Sequence, residues 1–171
     1  MTLEIRDAVE ADLPAIVEIY NSTVPSRMAT ADTESVSVES RLSWFHEHYP
    51  ESHPIWVAEA EGKIAGWFSF EPFRERSAYY ATAEVSVYVA EEHRRKGIGR
   101  RLLAEAIHRA PDLDLKTLTA GAFAHNEPSL ELFEEFGFET WAHFPRVAEL
   151  DGVERDLVVL GLRLDERPAP G

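Results

Sequence analysis

Residues 91–103 read EEHRRKGIGRRLL. Arg94, Arg95, Lys96, Arg100 and Arg101 place five positive charges in the eight positions 94–101, which contain no acid. The 171-residue chain carries 17 basic and 31 acidic residues, a formal charge of −14, so this is a basic island in an acidic protein. Upstream, TAEVSVYV (82–89) is rich in β-branched residues and predicts a strand. Downstream, Ile98, Leu102, Leu103, Ala106 and Ile107 share one helical face, which ends near Pro111. A strand, a glycine turn and a helix form a cradle for phosphate oxygens. Glycines let backbone N–H groups approach closely, and the helix N-terminus is partly positive. Arginines add charge-assisted hydrogen bonds to such a ligand.

Outward from this unit, the rest of the chain reads as one compact domain. LEIRDA is a first strand. Leu13, Ile16, Val17 and Tyr20 define a helix from about Asp12 to Asn21, and a second helix is expected over Val38–His48. IWVAEAEGKIAGWFSFEPF reads as two strands joined at Glu61-Gly62. KTLTAGAFA is another strand. The helix in NEPSLELFEEFGF is capped by Asn126, opened by Pro128 and stopped by Gly137. Strands are expected at Glu139–Phe144 and Asp156–Arg163, around a turn at Asp151-Gly152. The order β-α-α-β-β-β-α-β-α-β-β predicts a mixed α/β domain: a largely antiparallel central sheet, its β-α-β-α part parallel, flanked by about four helices. The domain is expected to span residues 1–165, followed by a flexible tail, 166–171.

Composition narrows the function. A charge of −14 argues against general nucleic-acid or anionic-membrane binding, since both carry phosphates. The absence of cysteine excludes disulfides, thiolate metal sites and a cysteine nucleophile. The histidines are scattered, so no metal site is expected. No apolar run has the roughly 18 residues of a membrane span, and MTLEIRDAVEAD does not read as a signal peptide. A soluble, cytoplasmic protein is expected.

The glycine turn excludes two common phosphate loops. A Walker loop requires Gly, four residues, then Gly-Lys-Ser/Thr, and here Arg100 and Arg101 follow Gly99. A dinucleotide fingerprint requires a third glycine where Leu102 stands. Arg94, Gly97 and Gly99 instead fit Arg/Gln-x-x-Gly-x-Gly/Ala. With this motif the chain resembles the GCN5-related N-acetyltransferase (GNAT) superfamily over nearly its whole length. AHNEPSLELFEEFGF is similar to a second segment of that superfamily. PFRERSAYYATAEVSVYV and IYNSTVPSRMATADTESVSVESRLSWFHEH resemble its phosphinothricin and methionine sulfoximine acetyltransferase branch.

The resemblance implies acetyl-CoA as co-substrate and a small amino-acid-like amine as acceptor. It implies a cofactor site formed by Val87, Tyr88 and Val89 of the strand, by Arg94, Arg95, Lys96, Gly97, Ile98, Gly99 and Arg100 of the loop, and by Asn126 and Ser129. Asn126 also reads simply as a helix cap. Glu84 falls where the branch keeps a glutamate, and the chemistry gives it work. An ammonium cannot attack a thioester until a base removes a proton. A strand N–H near Val87 or Tyr88 would stabilise the oxyanion that follows. A plainer reading of Glu84 is a surface carboxylate.

Arg74 and Arg76 are the candidates for gripping an acceptor's carboxylate or phosphinate; they also read as a solvated pair beside Glu71 and Glu75. Where the superfamily usually keeps Tyr, or His in this branch, this chain has Phe133. Phe133 cannot donate a proton to the leaving thiolate, which leaves Tyr88 and His125 as substitutes. The C-terminal hairpin matches one that packs at a dimer interface in relatives, so a homodimer is expected. Two other functions stay open: a protein or peptide N-acetyltransferase, and a non-catalytic acyl-CoA-binding module.

Overall fold

The computed structural model describes residues 2–166. The expected tail lies outside these residues except for Glu166, which closes a single 3-10 turn, Leu164–Glu166. Seven strands form one sheet: β1 (Leu3–Asp7), β2 (Ile55–Ala60), β3 (Lys63–Pro72), β4 (Thr82–Val89), β5 (Thr117–Phe123), β6 (Glu139–Leu150) and β7 (Val153–Arg163). Their spatial order is β1-β2-β3-β4-β5-β7-β6. Every neighbouring pair is antiparallel except β4 and β5. That pair is parallel because α3 (Ile98–Arg109) carries the chain back between them.

The helices cover both faces. Val85, with Phe68 and Phe70, packs against Ile98, Leu102 and Leu103 of α3 and against Phe133 of α4 (Glu127–Glu135). The opposite face, with Val57, Trp67 and Tyr88, packs against Ile16, Val17 and Ile19 of α1 (Leu13–Thr23) and against α2 (Leu42–His46). Strand alternation therefore divides β4 as its sequence requires: Val85, Val87 and Val89 to the α3 side, Glu84, Ser86 and Tyr88 to the α1 side.

Gly66 on β3 lets α3 sit close to the sheet. A Cβ there would lie 2.9 Å from the Tyr88 carbonyl oxygen and 3.2 Å from Ile98. The hairpin turns Glu61-Gly62 and Asp151-Gly152 have positive φ at both central residues, the geometry that matches strand twist.

Two elements differ from expectation. The second helix is shorter: a 3-10 turn, Glu39–Arg41, precedes a single five-residue α-segment. β6 is longer, running past Pro145 to Leu150. A bulge between Phe144 and Ala148 absorbs the proline, which has no N–H to give to a ladder. Within it Arg146 takes φ 52, and its N–H donates to Asp156 Oδ1 at 2.8 Å.

Candidate active site

The site begins where β4 and β5 separate. The two strands pair only at Thr82, Ala83 and Glu84, whereas β4 remains paired with β3 through Val89. Two hydrogen bonds at the ends of the β3–β4 ladder, Ala90 N–H to Ala65 O (2.8 Å) and Phe73 N–H to Thr82 O (3.3 Å), set its phase. Even-numbered residues of β4 bond to β3, and odd-numbered ones turn their amides toward β5. The N–H groups of Val87 and Val89 therefore face the gap without a ladder partner. Tyr88, the other expected oxyanion donor, has its amide on the β3 side.

A cleft of about 60 Å³ occupies this gap. Val87, Tyr88, Asn126, Ser129 and Phe133 line it, and Met28 and Ala29 lie across it. Asn126 is buried and uses both ends of its amide: Oδ1 accepts from Ser129 N–H (3.3 Å) and Nδ2 donates to Met28 O (3.2 Å). It caps α4 and fastens the segment after α1 to the cleft. Phe133 is buried edge-on against Phe138, with centroids 5.1 Å apart. His125 does not line the cleft; its Nε2 lies 2.9 Å from Arg27 O.

The basic loop follows directly. Arg95 (φ 62) and Gly97 (φ 80) both adopt left-handed backbone, which turns the chain into α3. At Gly97, glycine is the residue that does this without strain. Arg94, Arg95 and Lys96 are exposed. Arg94 Nε reaches the Val89 carbonyl at 3.4 Å, and Arg100 is paired with Glu135 on α4. At Gly99 an added Cβ would make only ordinary contacts with Leu132, Val89 and Val87, so this glycine is not forced by space.

On the other face of β4 lies a second cavity of about 140 Å³. Tyr20, Trp44 and Trp67 wall it, together with Ser69, Glu71, Ser86 and Tyr88. Ser86 and Tyr88 line both this cavity and the cleft, so the two spaces adjoin at β4. Glu84 precedes Ser86 on the same face and stands opposite Glu71 of β3. Its side chain is open to solvent but crowded on its protein side. A Cβ on Gly121 of β5 would lie only 3.6 Å from Glu84 Oε1. Burial by that protein side, and then the Glu71 charge, raise the Glu84 carboxyl above its usual value, while Arg74 opposes them.

Glu71 behaves oppositely. Burial disfavours its charge, but His48, Trp44 and Ser69 outweigh that and hold its pKa low. Trp44 Nε1 donates to Glu71 Oε1 at 2.8 Å. His48 Nε2 lies 3.1 Å from the same oxygen, an ion pair by distance rather than an aligned hydrogen bond. The His48 ring is 5% exposed, and its Nδ1 lies 2.6 Å from Trp44 O. Burial opposes protonation of His48, yet Glu71 and nearby carbonyls raise its pKa overall. Burial also raises the Tyr88 phenol, which stays neutral.

Arg74 and Arg76 lie on the exposed segment between β3 and β4. Arg74 stacks on Phe73 at 4.2 Å and donates to the Phe73 carbonyl. Neither lines the cavity. Sequence reading missed two charged residues that line the cavity, Arg41 and Glu71, and the His48 that supports Glu71. The alternation Trp67-x-Ser69-x-Glu71, read together with the Glu61-Gly62 hairpin, carried the signal for Glu71. Among the described residues no group of acids and histidines could hold a metal ion. No helix among them is long and apolar enough to cross a membrane.

Comparison with known proteins agrees with this architecture. Residues 13–138 match the family model described as "Acetyltransferase (GNAT) family". The Bacillus subtilis protein YwnH is 52% identical over 163 residues, covering 95% of this chain and 99% of that protein. The L-methionine sulfoximine/L-methionine sulfone acetyltransferase of Salmonella typhimurium is 35% identical over 168 residues, 98% of both chains. A phosphinothricin acetyltransferase from Sinorhizobium meliloti, solved in complex with acetyl-CoA, superposes with a TM-score of 0.89 at 31% identity, covering 100% of this chain and 95% of that one. The chain belongs to the GNAT acetyltransferase family, within its phosphinothricin and methionine sulfoximine acetyltransferase-like branch.

Proposed function

We propose that this enzyme transfers an acetyl group from acetyl-CoA to the amino group of a small amino-acid-like acceptor, with Glu84 as general base. At the coarser level it is an acetyl-CoA-dependent N-acetyltransferase acting on a small amine. One observation carries the finer reading: Ser86 and Tyr88 line both the cofactor cleft and the acceptor cavity, and Glu84 adjoins them on the same strand face.

The cleft suits an acetyl-CoA arm. The cleft and the gap it occupies offer the Val87 and Val89 N–H groups, and the loop that follows β4 adds the α3 N-terminus and the exposed bases Arg94, Arg95 and Lys96. Ile98, Gly99 and Arg100 open that helix, and Asn126 and Ser129 complete the wall. Acetyl-CoA supplies the activated acetyl thioester. Glu84, its pKa raised by burial and by the Glu71 charge, accepts a proton from the acceptor ammonium directly or through water. The Val87 N–H donates to the developing oxyanion. Thiols have a pKa of about 8.5, so the thiolate leaves with little help; of the two substitute donors, Tyr88 lines the cleft and remains a phenol. Arg74 and Arg76 gather anionic acceptors at the rim.

The volume of the cavity, about 140 Å³, favours a free small molecule over a peptide. The test is thiol release from acetyl-CoA across an amine panel that includes phosphinothricin, methionine sulfoximine and peptides. Turnover with amino-acid analogues supports the reading. Turnover only with peptides overturns it, and binding without turnover on any amine leaves an acyl-CoA-binding module.

We also propose a homodimer through the β6–β7 hairpin. Trp141, Phe144, Val147 and Val153 leave large apolar surfaces exposed there, 44% to 58% of each residue. Sedimentation should give twice the monomer mass, and Val147→Glu should give the monomer.

A further inference from the structure

Arg41 is the one base among the described side chains that line the acceptor cavity. It ends the 3-10 turn before α2, on the opposite side of the sheet from the basic loop. Two contacts fix it. Its guanidinium lies over the Tyr20 ring, 5.2 Å from the centroid. Its Nη2 reaches Asp32 Oδ2 at 3.2 Å. Asp32 also accepts from the Tyr20 hydroxyl, so its charge is shared between two donors. The contact to Asp32 is made through one nitrogen, not as a bidentate pair, and a third of the Arg41 side chain remains accessible.

A guanidinium held over an aromatic ring, with donors left over, is organised to grip a second carboxylate. The same cavity presents Glu71 from β3, with Glu84 beyond it on β4. Opposite charges thus enter one small space from different elements. An amine alone has no use for Arg41. A zwitterion has a use for both ends.

We propose that Arg41 binds the α-carboxylate of the acceptor and so makes the enzyme selective for free amino acids. This rests on the amino-acid reading above and adds to it. Arg74 and Arg76 then act only at the rim. A peptide N-terminus has an amide where Arg41 expects a carboxylate, so peptides are disfavoured by charge as well as by size.

The test uses L-methionine sulfone and its carboxamide as paired probes, with kcat/KM taken from thiol release. Wild type should prefer the acid. Arg41→Gln should lower kcat/KM for the acid about 10- to 100-fold, the scale of a lost charge-assisted pair. It should leave the carboxamide within about threefold and the KM for acetyl-CoA unchanged. Arg41→Lys keeps the charge without the fork and should recover only part of the preference. Arg74→Gln and Arg76→Gln, which lie outside the cavity lining, should lower the acid-to-amide ratio less than Arg41→Gln does. The assignment fails if wild type prefers the acid and both Arg41 variants keep that preference, or if Arg74→Gln erases it. A wild type that turns over only amines or peptides without a carboxylate overturns the amino-acid reading, and this assignment with it.

Discussion

Glu71 and Glu84 stand directly opposite each other across β3 and β4, and their environments push their acidities apart. Glu71 is held as an anion by Trp44 and His48. Its fixed charge, added to burial, raises Glu84. Two like carboxylates on neighbouring strands are thus driven to opposite acidities, which suits Glu71 to anchor and Glu84 to the base role proposed above.

Glu84→Gln should lower kcat by about 10²- to 10⁴-fold, the usual size of general-base catalysis. Binding of acetyl-CoA, measured by calorimetry, should be unchanged. A variant with wild-type turnover would remove Glu84 from the mechanism.

Glu71→Gln should move the acid limb of the kcat/KM profile to lower pH. The sign follows from the base: Glu84 works deprotonated, and activity falls as pH drops through its raised pKa. Without the Glu71 charge that pKa falls, so activity persists further into acid. An acid limb that stays in place would show that Glu71 does not act on Glu84.

The His48–Glu71 pair should also shape stability against pH. Glu71 has a lowered pKa, so its contribution is complete above its ordinary value of 4.5 and is lost as pH falls through the folded value. His48 has a raised pKa, so its contribution is complete below its ordinary 6.5 and is lost as pH rises through the folded value. The pair therefore stabilises most between these values. Thermal melting across pH 4 to 9 should show His48→Gln costing most in that window and least at alkaline pH.

Gly66→Ala should weaken acetyl-CoA binding from a distance. The new Cβ meets the Tyr88 carbonyl at 2.9 Å, which is backbone and cannot swing aside. The strain displaces either β4 or the start of α3, at a cost of about 1–3 kcal/mol. A lower Tm with a raised KM for acetyl-CoA is expected. Gly99→Ala, which meets only ordinary contacts, should keep its Tm.

Much of this fold was legible because its signals are local. The Val alternation of β4, the glycine turn before α3 and the Asn126 cap each specify geometry within a few residues. β6 was underestimated because Pro145 reads as a strand end, and only its neighbour β7 reveals the bulge that accommodates it. The site was legible in proportion to its contiguity. The cofactor loop is one segment. The acceptor cavity draws Arg41, Glu71 and Ser86 from three separate elements. Arg74 and Arg76 stood out in sequence as arginines able to grip an acceptor's carboxylate, whereas folding brings the more distant Arg41 into the cavity wall.

The separation of β4 from β5 has a consequence for how the protein can be observed. Strand amides are normally protected from solvent exchange by their ladders, but the Val87 and Val89 N–H groups face an open gap inside an otherwise continuous sheet. Their deuterium uptake should be fast in the free protein and slow once acetyl-CoA is bound, while the even-numbered amides of β4 stay protected in both states. If the cofactor sits as proposed, the unfinished ladder reports its occupancy without turnover and before any acceptor has been identified.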